Sequence, residues 1–360
     1  MTKPKSSNRR QFIRQTIGNA VALAGIPLLS PDQNPYPSHS RWSDLSNSSL
    51  KIFLSQGLPS ELQQDLKSDF PQIEFIDGDQ RIGEADAWFG GINEKQFGQA
   101  TNIRWIQSPS AGVEYYLFPD LVDSQVTLTN AKGCYAPAIA EHTFGLLFAL
   151  TRKIGSQTRH MSAGKWQGED NMIELKGLTM GIVGLGGIGS QIARRARAMD
   201  MQVLAVDILP KYQEQIGDIC DDVRLVQSDL DWLLDNSDVV VSAAPHTKAS
   251  EKMFGPSQFS QMKNGSIFIN VSRGKLVDTD ALMAALDSGH LGGAGLDVTD
   301  PEPLPSDHKL WRLSNVIITS HISGRSQHSW NRLLDVYREN VHRFIQGLPL
   351  LNQVDKKMGF

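Results

Sequence analysis

The sequence predicts an α/β chain of two doubly wound parallel-sheet domains, and three observations lead there. Short apolar runs alternate with helical patterns, the alternation occurs twice, and a glycine-rich turn opens its second round. At 360 residues the chain exceeds what one core comfortably organises, so two domains are expected. In the first, strands are predicted over 51–54, 73–76, 85–89, 103–106 and 126–128, with a polar helix over 61–68. A long helix over 137–154, apolar at Ile139, Phe144, Leu147 and Leu150, leads into the second. There the strands fall over 179–183, 203–206, 239–241, 267–269, 294–296 and 316–318, six in all. A last amphipathic helix over 330–345 is expected to return to the first domain. The division that follows is 50–136 with 324–360 for one domain and 137–323 for the domain inserted in it.

Composition excludes several classes. With 40% hydrophobic and 21% charged residues the chain reads as an ordinary globule, and no apolar run reaches the roughly 18 residues of a spanning helix. A formal net charge of -4 argues against a nucleic-acid partner, because phosphate binding needs a clustered basic surface. Cys134 and Cys220 stand far apart with no CxxC spacing, so neither a disulfide framework nor a zinc site is expected, and both read as core residues. The nine histidines show no metal-ligand pairing.

The N-terminus reads as an address. Lys3, Lys5, Arg9, Arg10 and Arg14 precede an apolar stretch over 17–29, and a Ser/Pro-rich polar segment runs on to about residue 49, which is the order of an export signal. The Arg9-Arg10 pair ahead of Phe12 and Ile13 resembles a twin-arginine signal, whose route moves folded proteins. The other reading is a basic tail. Ala22-Leu23-Ala24 has the small-x-small form of a cleavage site, but lies inside the apolar stretch.

Gly184-Leu185-Gly186-Gly187-Ile188-Gly189 directly follows a predicted strand and precedes a helical pattern over 191–198. The first glycine permits a tight turn, the second lets the backbone approach a pyrophosphate, and the third lets helix and strand pack closely; the helix N-terminus offers free N–H groups to the anion. Asp207 ends the next strand, 23 positions after Gly184, where a carboxylate accepts from the adenosine ribose hydroxyls. Together these predict a Rossmann dinucleotide domain. The charge of Asp207 opposes the 2′-phosphate of NADP and favours NAD, with Lys211 nearby as the one counter-indication.

Three further segments follow predicted strands: Asn270-Val271-Ser272-Arg273-Gly274, the run from Gly295-Leu296-Asp297 to Pro301-Glu302-Pro303, and Ser320-His321-Ile322-Ser323-Gly324. All stand at carboxyl ends, where open α/β sheets place their ligands. Arg273 offers a planar fork to a carboxylate. His321 can give or take a proton, and Glu302 beside it would favour the imidazolium. In bland alternatives, Arg273 caps a strand end, Glu302 is a surface acid and His321 a core histidine.

In their order these elements resemble the D-isomer-specific 2-hydroxyacid dehydrogenase family over about residue 50 to the C-terminus. The resemblance implies a flavodoxin-like substrate domain around the inserted NAD-binding domain. It implies an oxidoreductase that moves a hydride between nicotinamide and C2 of a small 2-keto or 2-hydroxy acid, with Arg273, Glu302 and His321 as the catalytic trio. It places Asp297 near the nicotinamide carboxamide, though a structural strand-end acid reads equally well. It places Ala244 and Pro245, from Ala244-Pro245-His246-Thr247, against the nucleotide, with Ala244 where the family carries a bulkier side chain. It gives Ser110, Ala111 and Gly112 of the loop after the fourth strand to the substrate carboxylate, where an ordinary strand-to-helix turn is the alternative. Glu141 and His142 match a family pair and are expected to be domain-interface structure. A homodimer through the nucleotide domain is implied as well. The rival functions are oxidation of another small anion, with phosphite open and formate disfavoured by Glu302, and an NAD(H)-sensing binding protein on the same fold.

Overall fold

The computed structural model describes residues 50–209 and 217–360, so the export signal and Lys211 lie outside the described residues. Contacts divide the chain into two units: residues up to Cys134 with Gln327–Phe360, and Tyr135–Ser326.

The first unit holds a sheet of β1 (Lys51–Leu54), β2 (Glu74–Ile76), β3 (Ala87–Phe89), β4 (Trp105–Gln107) and β5 (Thr127–Thr129). Every pairing is parallel and the order is β2-β1-β3-β4-β5, the flavodoxin-like arrangement. β3 and β4 are buried at every residue, as parallel strands covered on both faces must be. Helices α1 (Ser60–Asp69), α2 (Glu94–Gln99) and α3 (Pro119–Asp123) connect the strands. The C-terminal helix Ser329–Ile345 packs Tyr337 edge-on to Phe89 at 4.7 Å and Phe344 against Trp105 at 5.1 Å. Its buried Asn340 donates through Nδ2 to Gln107 Oε1 (2.8 Å), so the return to the first sheet is fixed by a buried amide pair as well as by apolar spacing.

In the second unit, β6 (Thr179–Val183), β7 (Gln202–Asp207), β8 (Asp222–Leu225), β9 (Val239–Ser242), β10 (Ser266–Asn270), β11 (Leu291–Leu296) and β12 (Val316–Ile318) form a parallel sheet ordered β12-β11-β10-β9-β6-β7-β8. Counted within the unit this is 3-2-1-4-5-6-7, a Rossmann order with its reversal between β6 and β9. Side chains alternate between two cores: Ile182, Val241 and Ile269 face one, Val183, Val240 and Phe268 the other. The helices of the unit are α4 (Ala136–Thr151), α5 (Ile154–Ser162), α6 (Gly187–Ala198), α7 (Val226–Asn236), α8 (Pro256–Gln261) and α9 (Thr279–Asp287).

The structure corrects three boundaries. The expected six strands are seven, because β8 alternates only Val223 and Leu225 with Asp222 and Arg224 at the sheet edge, too short and polar a pattern to stand out. The helix expected over 137–154 ends at Thr151, where Lys153 turns left-handed (φ 57°) and α5 begins. The helix expected from 191 begins at Gly187, inside the glycine motif. Cys134 and Cys220 are buried free thiols, each pushed up to about 12 by burial. No helix among the described residues is long and apolar enough to cross a membrane.

Candidate active site

The glycine turn sits at the sheet's reversal point, after β6. Gly184 has φ 95°, and a Cβ there would lie 2.8 Å from the backbone of Ala244, so the turn and the strand-end loop of β9 touch only because this residue has no side chain. A Cβ on Gly189 would meet the Gly184 carbonyl oxygen at 2.0 Å, which makes this glycine the one that lets α6 lie against β6. At Gly186 a Cβ would meet nothing within 4 Å. That open space lies before the N–H groups of Gly187 and Ile188, which have no acceptor within a helix. Free amides, a helix of 12 residues behind them and room in front fit a pyrophosphate.

Asp207, at the end of β7, accepts from the Leu185 amide (2.7 Å) and from the Leu209 amide (3.0 Å). The carboxylate expected to meet the ribose therefore also braces the turn that meets the phosphates, and two carboxylate oxygens leave acceptor capacity for both. Ala244 borders the turn, and Ser250 Oγ holds its loop by donating to the Pro245 carbonyl (2.8 Å). The fold thus carries a dinucleotide site of NAD type.

The catalytic candidates stand on the carboxyl ends of β10, β11 and β12, neighbours in the sheet. Past β10, Asn270 Oδ1 accepts from the Ser272 amide and hydroxyl, and Asn270 Nδ2 donates to the Arg273 carbonyl (2.9 Å), fixing the backbone that presents the guanidinium. Arg273 Nη1 donates to the Ser272 carbonyl (2.8 Å). A Cβ on the next residue, Gly274, would lie 1.9 Å from the Thr299 carbonyl oxygen, so glycine there lets the β10 tip close onto the loop after β11. That loop ends in Glu302, whose Oε1 lies 2.7 Å from His321 Nδ1. Both side chains remain accessible, at 42% and 45% exposure, which leaves the imidazole's other nitrogen open to a substrate.

Asp297 is the buried anchor of this group. Its carboxylate accepts from Thr319 Oγ1 (2.7 Å), the Ile322 amide (3.0 Å) and the Ser323 amide (3.0 Å), and its carbonyl accepts from the His321 amide (2.8 Å). Burial works against its ionisation, but the Ser323 and Thr319 hydrogen bonds and the two amides together hold the carboxyl below its ordinary range. The backbone of His321 is left-handed (φ 52°), uncommon for a residue with a side chain, and Asp297 wraps the turn that holds it so. The structural role left open for Asp297 is thus filled.

Ser110, Ala111 and Gly112 stand in the other unit, after β4. Their loop is pinned by its carbonyls: Ser110 accepts from the Ala131 amide (3.0 Å) and Ala111 from Asn130 Nδ2 (2.8 Å). Among the described residues no acceptor meets the Ala111 and Gly112 N–H groups, which suits a carboxylate ligand. Glu141 and His142 find partners inside the nucleotide unit, in Arg195 (3.3 Å) and Thr319 (2.8 Å). Sequence reading missed Asn130, Asn270 and Thr319. The two asparagines carry a weak local signal, a polar amide at a buried strand end, whereas the partners of Thr319 are distant in sequence.

Residues 144–323 match the family described as D-isomer specific 2-hydroxyacid dehydrogenase, NAD binding domain. A D-3-phosphoglycerate dehydrogenase of Archaeoglobus fulgidus is 36% identical over 71% of this chain, but the match spans only 48% of that longer protein. A glyoxylate reductase of Thermofilum pendens is 32% identical over 71% of this chain and 76% of its own length. In structure, a D-isomer specific 2-hydroxyacid dehydrogenase family protein from Aeromonas salmonicida, 30% identical, superposes with a TM-score of 0.74 over 86% of this chain and all of its own. By this family match and these relatives, with the glycine turn and the His321–Glu302 pair on one sheet, this chain belongs to the D-isomer-specific 2-hydroxyacid dehydrogenases.

Proposed function

We propose that the chain reduces a small 2-keto acid, glyoxylate or hydroxypyruvate first among them, to its 2-hydroxy acid with NADH, of D configuration where C2 is chiral. The observation that carries this reading is the 2.7 Å pair of His321 and Glu302 at the tips of a dinucleotide-binding sheet. NAD, when bound, supplies or takes the hydride. Glu302 holds Nδ1–H, which leaves Nε2 to give a proton to the carbonyl oxygen during reduction and to take it back during oxidation. Arg273, permanently charged and planar, suits the substrate carboxylate and polarises the neighbouring carbonyl.

Turnover tests this directly. Purified protein with NADH and a panel of glyoxylate, hydroxypyruvate, pyruvate and phenylpyruvate is expected to consume NADH. His321→Ala and Arg273→Ala should each lose about 10²- to 10⁴-fold in kcat/KM while NADH still binds. Binding without consumption of any acid would favour the NAD(H)-sensing alternative.

Two further readings accompany this one. The chain acts as a homodimer through the nucleotide unit, supported by the apolar side chains that α5 and the segment after it expose: Met161, Trp166 and Met172, with Trp166 fully exposed. It is exported through a twin-arginine route, supported by Arg9 and Arg10 ahead of the apolar stretch.

A further inference from the structure

His142 lies on α4, far in sequence from every residue of the trio, yet its Nε2 is 2.8 Å from Thr319 Oγ1. The Thr319 hydroxyl has one proton, and Asp297 Oδ1, 2.7 Å away, can only accept. Thr319 therefore donates to Asp297, and His142 must donate to Thr319 from a protonated Nε2. The same Nε2 stands 3.6 Å from Asp297 Oδ1, so it adds a direct pull on that oxygen. Asp297 in turn holds the Ile322 and Ser323 amides and, by its carbonyl, the His321 amide. A line of hydrogen bonds thus runs from the middle of a helix to the left-handed turn that aims the imidazole of His321.

We propose that His142 is a positioning residue for His321, acting through Thr319 and Asp297 to fix the carboxylate around which the His321 turn is wound. The proposal rests on the hydride-transfer reading. With the donor gone, Thr319 loses an acceptor-side partner that fixes its rotamer, Asp297 Oδ1 gains freedom to rotate, and the turn loses its single geometry. The loss falls on the alignment of the proton donor, not on the glycine turn, so kcat should respond and NADH affinity should not.

The test compares removal with conservative replacement. His142→Leu keeps bulk without a donor and should lower kcat roughly 10- to 100-fold, since small misplacements at a reacting centre cost that much, while NADH affinity stays within about twofold. His142→Gln, whose amide reaches as far as Nε2, should bring kcat back to within about fivefold of the parent. Thr319→Val and Thr319→Ser form a second pair, expected to lose and to keep kcat in the same way, and serve if the Leu variant does not fold. Ring and amide NMR signals of residues 321–323 should shift in His142→Leu and return in His142→Gln. A kcat within about twofold of the parent in both His142→Leu and Thr319→Val, or unmoved NMR signals in them, would overturn the linkage. If the parent turns over no acid, the proposed function fails, and the NMR comparison still decides whether His142 holds the turn.

Discussion

His321 pairs an uncommon backbone with an accessible side chain, and both depend on Asp297. A left-handed conformation costs a residue with a Cβ on the order of 1–2 kcal/mol, and the turn holds because three hydrogen bonds to one buried carboxylate outweigh that cost. The sign of the pH dependence follows. The folded carboxyl titrates below its unfolded value, so ionised Asp297 contributes stability that is fully present above the unfolded value near ~3.9 and is lost as pH falls through the folded one. Asp297→Asn, which sets an NH₂ against amide donors, should destabilise the nucleotide unit by roughly 1–3 kcal/mol at neutral pH. Thermal unfolding of both proteins between neutral pH and about pH 3 checks this, the gap narrowing on the acid side; a constant gap would show that the charge is not what matters.

At the scale of elements, the strand tips are brought together by glycines whose tasks differ. Gly189 is a packing residue: with a Cβ 2.0 Å from a carbonyl oxygen, Gly189→Ala must push α6 off β6 and should lower the melting temperature by several degrees, about 2–4 °C per kcal/mol lost. Gly186 has no such constraint. Gly186→Ala should melt within about 2 °C of the parent, yet weaken NADH at least about tenfold by filling the space before the helix amides. Melting curves beside NADH fluorescence titrations separate the two, and equal behaviour would place the pyrophosphate elsewhere. Gly274 belongs with Gly189, because its missing Cβ is what brings the Arg273 tip against the loop that ends in Glu302.

For the whole molecule, the proposed dimer and the proposed export each rest on particular residues and can be tested there. Trp166 is fully exposed and Met161 and Met172 are exposed too, and burying such side chains against a second copy would remove them from water at about 1.5–3 kcal/mol each. Sedimentation should give twice the 39.8 kDa of one chain, and Trp166→Arg should shift the population toward a monomer; a monomeric parent would end the dimer reading. For export, a reporter fused after residue 49 should leave the cytoplasm, and replacing Arg9 and Arg10 together by Lys should retain it there. A reporter indifferent to that replacement would show the segment to be a basic tail.

Local pattern and chemistry were enough to determine the two sheets, the glycine turn, and the three segments bearing Arg273, Glu302 and His321, because strand periodicity and turn residues act over a few positions. β8 escaped since its edge position needs apolar residues on little of its surface, and the α4 break escaped since a left-handed Lys153 has no local signature. Folding alone brings His142 to Thr319, has Asp207 brace the turn it was expected merely to accompany, and lets Asp297 wind the His321 loop. Those roles are hydrogen bonds between residues from 22 to 177 positions apart, and such pairings exist only once the sheet has set its strand tips side by side.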